Sequence, residues 1–181
     1  MRKGKEMRFK KTNIEGLYVI NYKKYEDLRG ELKKPYSFDE FKKYQIINYN
    51  FKEVWFTYSK MNVIRGMHYQ TGEKGCEKLV SCIKGKVLDV ILDLRINSKT
   101  YGEYFSIELC EDDPIALYIP INCAHGYKVM EEGSMMMYMA TEIHSPDHDV
   151  GVKWDSFGFD WEVNENPIIS DKDQSLPNFK W

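Results

Sequence analysis

The sequence predicts an all-β protein, a sandwich or barrel of antiparallel strands with a few short helices. Short apolar runs recur at roughly 8–12-residue spacing, which is the pattern of that class. Glycines 75, 85, 102, 126 and 133 punctuate the runs as turns. Aromatic residues make up 14% of the 181, and thirteen of them are tyrosines. A ring with a polar tip suits strands and polar clefts.

Along the chain, "GLYVINY" (16–22) is apolar and β-branched and reads as a strand. Ser37 opens Ser-Phe-Asp-Glu, a capping box with Glu40 at the third helical position; this predicts a short helix reaching Tyr44. "EVWFTYS" (53–59) alternates, and "VIRGMHYQ" (63–70) reads as a buried strand carrying Arg65 and His68. "KVLDVILDLR" (86–95) is the clearest strand. Val87, Asp89, Ile91 and Asp93 share one face; Leu88, Val90, Leu92 and Leu94 share the other. The wholly apolar face is expected in the core, and the mixed face is expected to line a wet cavity or a surface. Further strands are expected at 103–110, 115–120, 125–131 and 134–142. From about Ser145, prolines 146, 167 and 177 stand among charged residues. They predict a C-terminal segment that wraps the barrel as loops and short turns, anchored by Trp154, Trp161 and Trp181. The length favours one domain over residues 1–181.

Composition narrows the function classes. Hydrophobic residues are 43% and charged residues 30%, the balance of a soluble globular chain. A net charge of -2 lacks the basic surplus of a duplex binder, so no nucleic-acid partner is expected. The basic opening MRKGKEMRFK is not followed by an apolar run, so no ordinary secretory signal is expected. No run is long enough to span a membrane. The expected location is cytoplasmic. Cys76, Cys82, Cys110 and Cys123 have no CxxC spacing and are expected as reduced thiols.

The residues able to do chemistry are few. Of the histidines 68, 125, 144 and 148, His68 and His125 lie in apolar strand patterns. A histidine in that setting is ordinarily a hydrogen-bonded core residue. Here Arg65 and Lys78 accompany the pair in similarly apolar segments, and a buried cation needs an anion. That anion is either the chain's own Asp89 or Asp93, or a ligand. A metal site built from His68, Glu73 and His125 lacks the HxH spacing of metal-binding barrels, so no metal is expected. By default Tyr138 is a core tyrosine, Asp173 a solvated loop charge and Arg29 a turn charge.

Several motifs, taken together and in order, resemble the dTDP-4-dehydrorhamnose 3,5-epimerase family, metal-free cupins. "VIRGMHYQ" resembles its VLRGLHYQ. "EKLVSCIKGKVLDVILDLRINSKTYGEY" resembles its KLV, GxVxDVxxDLR and SPTYG run, and "LYIPINCAHGYKVM" resembles WIPxGFAHGF. "MYMAT" is similar to LYKTT, "DVGVKWDSFGFDW" to ERGIxWNDPxxGIDW, "ISDKD" to LSxKD and "DLRG" to DxRG. The resemblance covers about residues 14–175.

The resemblance implies a cupin jelly-roll, a homodimer that exchanges N-terminal strands, and a nucleotide-diphosphate 4-keto-sugar substrate. It implies a 3,5-epimerase serving deoxysugar or heptose biosynthesis for surface polysaccharide. It also implies roles. His68 corresponds to the base, Asp173 to its buried partner, Tyr138 to the acid and Lys78 to the lysine near the sugar carbonyl. Arg65 and His125 correspond to substrate contacts, and Asp149 stands where a substrate-contacting glutamate is common. Arg29 corresponds to an arginine that reaches a neighbouring subunit's nucleotide. The departures lie elsewhere. Glu53, Val54 and Trp55 replace QDN; Glu31, Leu32, Lys33 and Lys34 replace the aromatic run after DxRG; Ile143 and His144 replace an aromatic pair. These positions frame the nucleotide, and family relatives act on GDP-linked keto-heptoses as well as dTDP-hexoses. Epimerisation at C3 alone or C5 alone, and a binding cupin without catalysis, are the alternatives. No cofactor is expected, because epimerisation involves no net oxidation.

Overall fold

Alternation in the sequence becomes two antiparallel sheets whose inner faces meet. The computed structural model describes residues 6–46, 48, 50–163 and 166–180. In chain order the elements are β1 (Arg8–Lys11), β2 (Tyr18–Asn21), β3 (Lys23–Asp27), β4 (Gly30–Lys34) and α1 (Phe38–Lys43). Then come β5 (Glu53–Ser59), β6 (Ile64–Gln70), a 3-10 turn (Gly72–Lys74), β7 (Lys78–Lys84), β8 (Lys86–Asp93) and β9 (Tyr104–Cys110). The last are β10 (Ile115–Ile119), β11 (Cys123–Val129), β12 (Ser134–Ala140), β13 (Asp149–Gly151) and α2 (Asp171–Gln174). One sheet runs β1-β2-β10-β7-β12-β5 and the other β13-β6-β11-β8-β9, while β3 and β4 form a separate hairpin. This is the cupin jelly-roll arrangement.

Three apolar layers hold the sheets. Between them lie Val80, Leu117, Met136 and Tyr138 from the first sheet and Val87, Ile91, Leu109 and Tyr127 from the second. Outside the second sheet, Val90, Leu92 and Met67 meet Val152, Phe157, Trp161 and Phe179 of the C-terminal segment. Outside the first, Ile20, Leu79 and Tyr118 meet Met7, Phe41 of α1 and Ile46. Each such fully buried side chain contributes on the order of 1.5–3 kcal/mol. Among the described residues no helix is long and apolar enough to cross a membrane.

Four expectations are corrected. The mixed face of β8 is neither wet nor superficial: Asp89 and Asp93 are fully buried between the sheets with Val87 and Ile91. Gly126 is not a turn but sits in the middle of β11. Ser37 does flank α1, but its side chain makes no capping hydrogen bond. Glu40, the other half of the expected box, turns to Lys23 Nζ at 2.8 Å, because a charged donor outcompetes a backbone amide. The C-terminal segment is also more ordered than loops and turns: it adds β13 to the edge of β6 and ends in α2. Trp161 anchors it as expected, 2% exposed, its Nε1 donating to Trp154 O at 2.7 Å. Trp181 lies outside the described residues. The cysteines are free thiols, three of them buried.

Candidate active site

The site begins with an irregularity in β6. His125 is the register partner of His68, and Tyr127 that of Arg65. Two steps along β11 therefore match three along β6, so β6 carries one extra residue beside Gly66, a β-bulge. Strand alternation alone would send side chains at i and i+3 to opposite faces. The extra residue resets the parity: Ile64 and Met67 go to the outer core, while Arg65 and His68 both reach the same cavity. Two glycines permit it. Gly66 has φ +115, and a Cβ there would lie 2.5 Å from Gly126 Cα, so both strands need glycine at the crossing.

A cavity of about 840 Å³ opens at this end of the barrel. Its walls include His68, Lys78, Arg65, His125, Tyr138, Asp149 and Asp173, seven of the eight residues singled out from sequence. Arg29 is not among them. It sits at the tip of the β3–β4 hairpin, largely exposed, and donates Nη2 to Asp27 Oδ2 at 2.6 Å.

His68 Nε2 donates to Asp173 Oδ1 at 2.9 Å, and the other carboxylate oxygen accepts the Gly66 amide at 3.0 Å. Asp173 is held in this position by the N-cap of α2, Ser170, whose Oγ accepts from the Asp173 amide at 3.1 Å. Burial raises the Asp173 pKa, but the hydrogen bonds from His68 and Gly66 outweigh it, and the net direction is down. The group is thus a buried carboxylate, not the solvated loop charge of the default reading.

His125 Nε2 lies 2.8 Å from Asp89 Oδ2. Here burial dominates and the Asp89 pKa rises despite the imidazole. Asp93, the other candidate anion, instead binds Arg95 through Nε and Nη2, both at 2.8 Å. Neither aspartate neutralises the cavity cations. Arg65 Nε donates to Ser59 Oγ at 3.0 Å, and Lys78 Nζ donates to His68 O at 3.4 Å. Desolvation lowers the Lys78 pKa. Among the described residues neither cation pairs with a carboxylate, so an anionic or strongly polar ligand fits the space between them.

Tyr138 is 6% exposed, with its ring stacked on Trp55 at 5.1 Å between centroids and 2° between planes. Burial, then the charges of Tyr127 and Asp89, push its phenol well above the ordinary value. At the rim, Asp149 Oδ2 accepts from Lys172 Nζ at 2.6 Å and from His144 Nε2 at 3.2 Å. Burial raises the Asp149 pKa, but these partners bring it net down. No group of three His, Cys, Asp or Glu side chains among the described residues is placed to hold a metal ion. Reading the sequence missed Thr57, Tyr127 and Lys172 as wall residues. The alternation of β5 could have signalled Thr57, which shares a face with Glu53 and Trp55.

The sequence model of the dTDP-4-dehydrorhamnose 3,5-epimerase family matches residues 11–180. A dTDP-4-dehydrorhamnose 3,5-epimerase of Methanothermobacter thermautotrophicus is 36% identical over 179 residues, covering 94% of this chain and 93% of that protein. The crystal structure of the Elizabethkingia anophelis epimerase of that name superposes with a TM-score of 0.90 at 34% identity, covering 97% of both chains. That of the Bacillus anthracis protein, with TDP and PPi bound, gives a TM-score of 0.91 at 31% identity, covering 96% of this chain and 99% of that one. Barrel and comparisons together define an isomerase, a carbohydrate epimerase on a cupin fold. The chain belongs to the dTDP-4-dehydrorhamnose 3,5-epimerase family.

Proposed function

We propose that this protein epimerises a dTDP-linked 4-keto-6-deoxyhexose at C3 and C5. The observation that carries the reading is the His68–Asp173 pair opening on the same cavity as Tyr138 and Lys78. A ketone at C4 acidifies both neighbouring C–H bonds, because the carbanion delocalises onto oxygen. Asp173 holds one imidazole nitrogen of His68 as a donor, which frees the other to take the proton from carbon, the logic of a triad carboxylate. Lys78, poorly solvated and without a carboxylate partner among the described residues, faces the growing negative charge on the enolate oxygen; such a contact is worth about 3 kcal/mol. Tyr138, whose burial keeps it protonated, returns a proton to the opposite face. Electrons stay in the sugar throughout, so the cycle closes without a redox partner.

Arg65 lies where a guanidinium would clamp a diphosphate, with His125 and Asp149 contacting the sugar. The TDP in the Bacillus anthracis relative supports thymidine as the base. We further propose a cytoplasmic homodimer with exchanged N-terminal strands. The hairpin with Arg29, and the exposed Leu28 and Leu32, would then reach the neighbour's nucleotide. Exposed Val54, Phe56 and Tyr58 on the outward side of edge strand β5 support an apolar contact. The product would feed surface polysaccharide synthesis.

The test is incubation with dTDP- and GDP-linked 4-keto sugars in D2O, with NMR of deuterium at C3 and C5. Incorporation at both carbons of the dTDP sugar is expected. Label at one carbon makes the protein a monoepimerase. Label only in the GDP sugar, such as a keto-heptose, corrects the base, and no label leaves a binding protein.

A further inference from the structure

Side chains from three other strands bracket the Tyr138 ring. Its register partner toward the sheet edge is Trp55 of β5, and its partner on the other flank is Val80 of β7. Residues directly opposite on neighbouring strands point to the same face. The Trp55 and Tyr138 rings accordingly stack, 5.1 Å between centroids and 2° between planes. From the opposing sheet, the His125 ring closes a third side at 5.8 Å and 62°. Val80 is fully buried in the core, while Trp55 is half-buried and lines the cavity.

Geometry decides which motion this blocks. The phenol oxygen lies on the axis of its ring, so a ring flip about χ2 leaves it in place. Only rotation about χ1 carries it elsewhere, to one of the other staggered wells. Val80 fills the space on one flank, and the flat face of Trp55 covers the other.

We propose that Trp55 is a positioning residue for Tyr138: its stacked ring holds the phenol at a single station in the cavity wall, so that the proton reaches the sugar face opposite His68. This rests on the reading of Tyr138 as proton donor. In the second half of the reaction the enolate electron pair takes the phenolic proton to form the new C–H bond, and the O–H pair stays behind as phenolate. A tyrosine free to swing misses that moment, and the proton held by His68 then returns to the face it left. Loss of the stack therefore shifts the enolate from inversion to return, without touching the first abstraction. Trp55 stands where the family's QDN motif has asparagine, which has no ring to stack, so the device lies outside the shared pattern.

Kinetics in D2O on a dTDP-linked 4-keto-6-deoxyhexose test it, with NMR separating deuterium in inverted product from deuterium in sugar that kept its configuration. Trp55→Leu keeps apolar bulk and removes the stack. Its kcat for inversion is expected to fall about fivefold, the scale of one aromatic pair. KM should stay within about twofold, and label in uninverted sugar should rise about fivefold relative to label in product. Trp55→Phe keeps a ring at the same place and should bring both values back to within about twofold of wild type. In a Tyr138→Phe background, Trp55→Leu should add no further loss. If Trp55→Leu gives no cooperative melt, Trp55→Asn, with the residue of the family motif, is measured in its place. Wild-type partition in the stack-free variant, or equal losses of exchange and inversion, overturns the proposal. A raised KM with kcat unchanged also overturns it and makes Trp55 a substrate contact. Full turnover by Tyr138→Phe instead overturns the donor assignment beneath it.

Discussion

His68 and His125 face each other as register partners of β6 and β11, and each is tied to a buried aspartate that its own surroundings treat differently. Asp173 accepts hydrogen bonds from His68 and from the Gly66 amide, so it stays ionised. Asp89 keeps one oxygen without a partner among the described residues, and burial suppresses its charge. One imidazole thus sits beside a firm negative charge and its neighbour beside a weakened one.

Asp173→Asn should therefore strike the chemistry harder than the fold. The amide cannot stabilise an imidazolium, and kcat should fall on the order of 10³-fold, while dTDP affinity, measured by calorimetry, stays within about threefold of wild type. In the wild type, the depressed pKa means that protonation of Asp173 limits the rate only below the ordinary carboxylate range. A pH–rate profile checks this.

Lys78 should show a trade between stability and function. Its pKa is lowered by desolvation, so the unfolded state binds more protons and this residue's stability penalty eases as pH rises from the folded pKa to the unfolded one. Lys78→Met removes the penalty. Tm at pH 7 should rise by about 2–4 °C, and kcat should fall about 10²-fold. A lower Tm would show that the ammonium is a structural tie.

Gly66→Ala tests the bulge. The added Cβ meets Gly126 Cα at 2.5 Å and His125 O at 2.7 Å, on a backbone with φ +115. Neither neighbour is a flexible side-chain tip. The variant should lose about 3 kcal/mol by urea unfolding and should lose dTDP affinity and turnover together, because Arg65 and His68 depend on the same extra residue.

Asp93 is a purely structural carboxylate. Burial raises its pKa, but hydrogen bonds from Arg95, Ser98 and Thr100 bring it well below the carboxylate range. A depressed folded pKa contributes stability above the unfolded value, and that contribution fades as pH falls toward the folded one. Asp93→Asn should cost about 3 kcal/mol at pH 7, and the gap from wild type should narrow below about pH 4. Parallel urea titrations at pH 7 and pH 3.5 measure both.

Much of this was readable from the residues. Period-two alternation located β5 and β8 because their two faces meet different surroundings. Glycine inside a strand marks either a bulge or a close approach, and Gly66 proves to be both. What escaped was set by pairing at long range. Asp89 and Asp93 looked wet because nothing local shows that both faces of β8 are covered, the second by a segment some sixty residues downstream. Gly126 looked like a turn because its partner, Gly66, lies on another strand. Glu40 suited a capping box until Lys23 arrived from β3. Seven of the eight candidate residues meet at one cavity, and Arg29 does not, since the β3–β4 hairpin carries it to an exposed tip where it pairs with Asp27. The hydrogen bonds of the Tyr127 hydroxyl with Thr57 and Ser59 became visible only once β5 and β11 stood face to face.

The aspartate that serves His68 arrives from α2, 105 residues later in the chain. A polypeptide released early, or cut between the barrel and α2, would keep the barrel's part of the cavity wall and lose Asp173 from it. Under the proposed chemistry, activity is thereby coupled to completion: a half-made copy lacks the partner of His68 until the final helix docks.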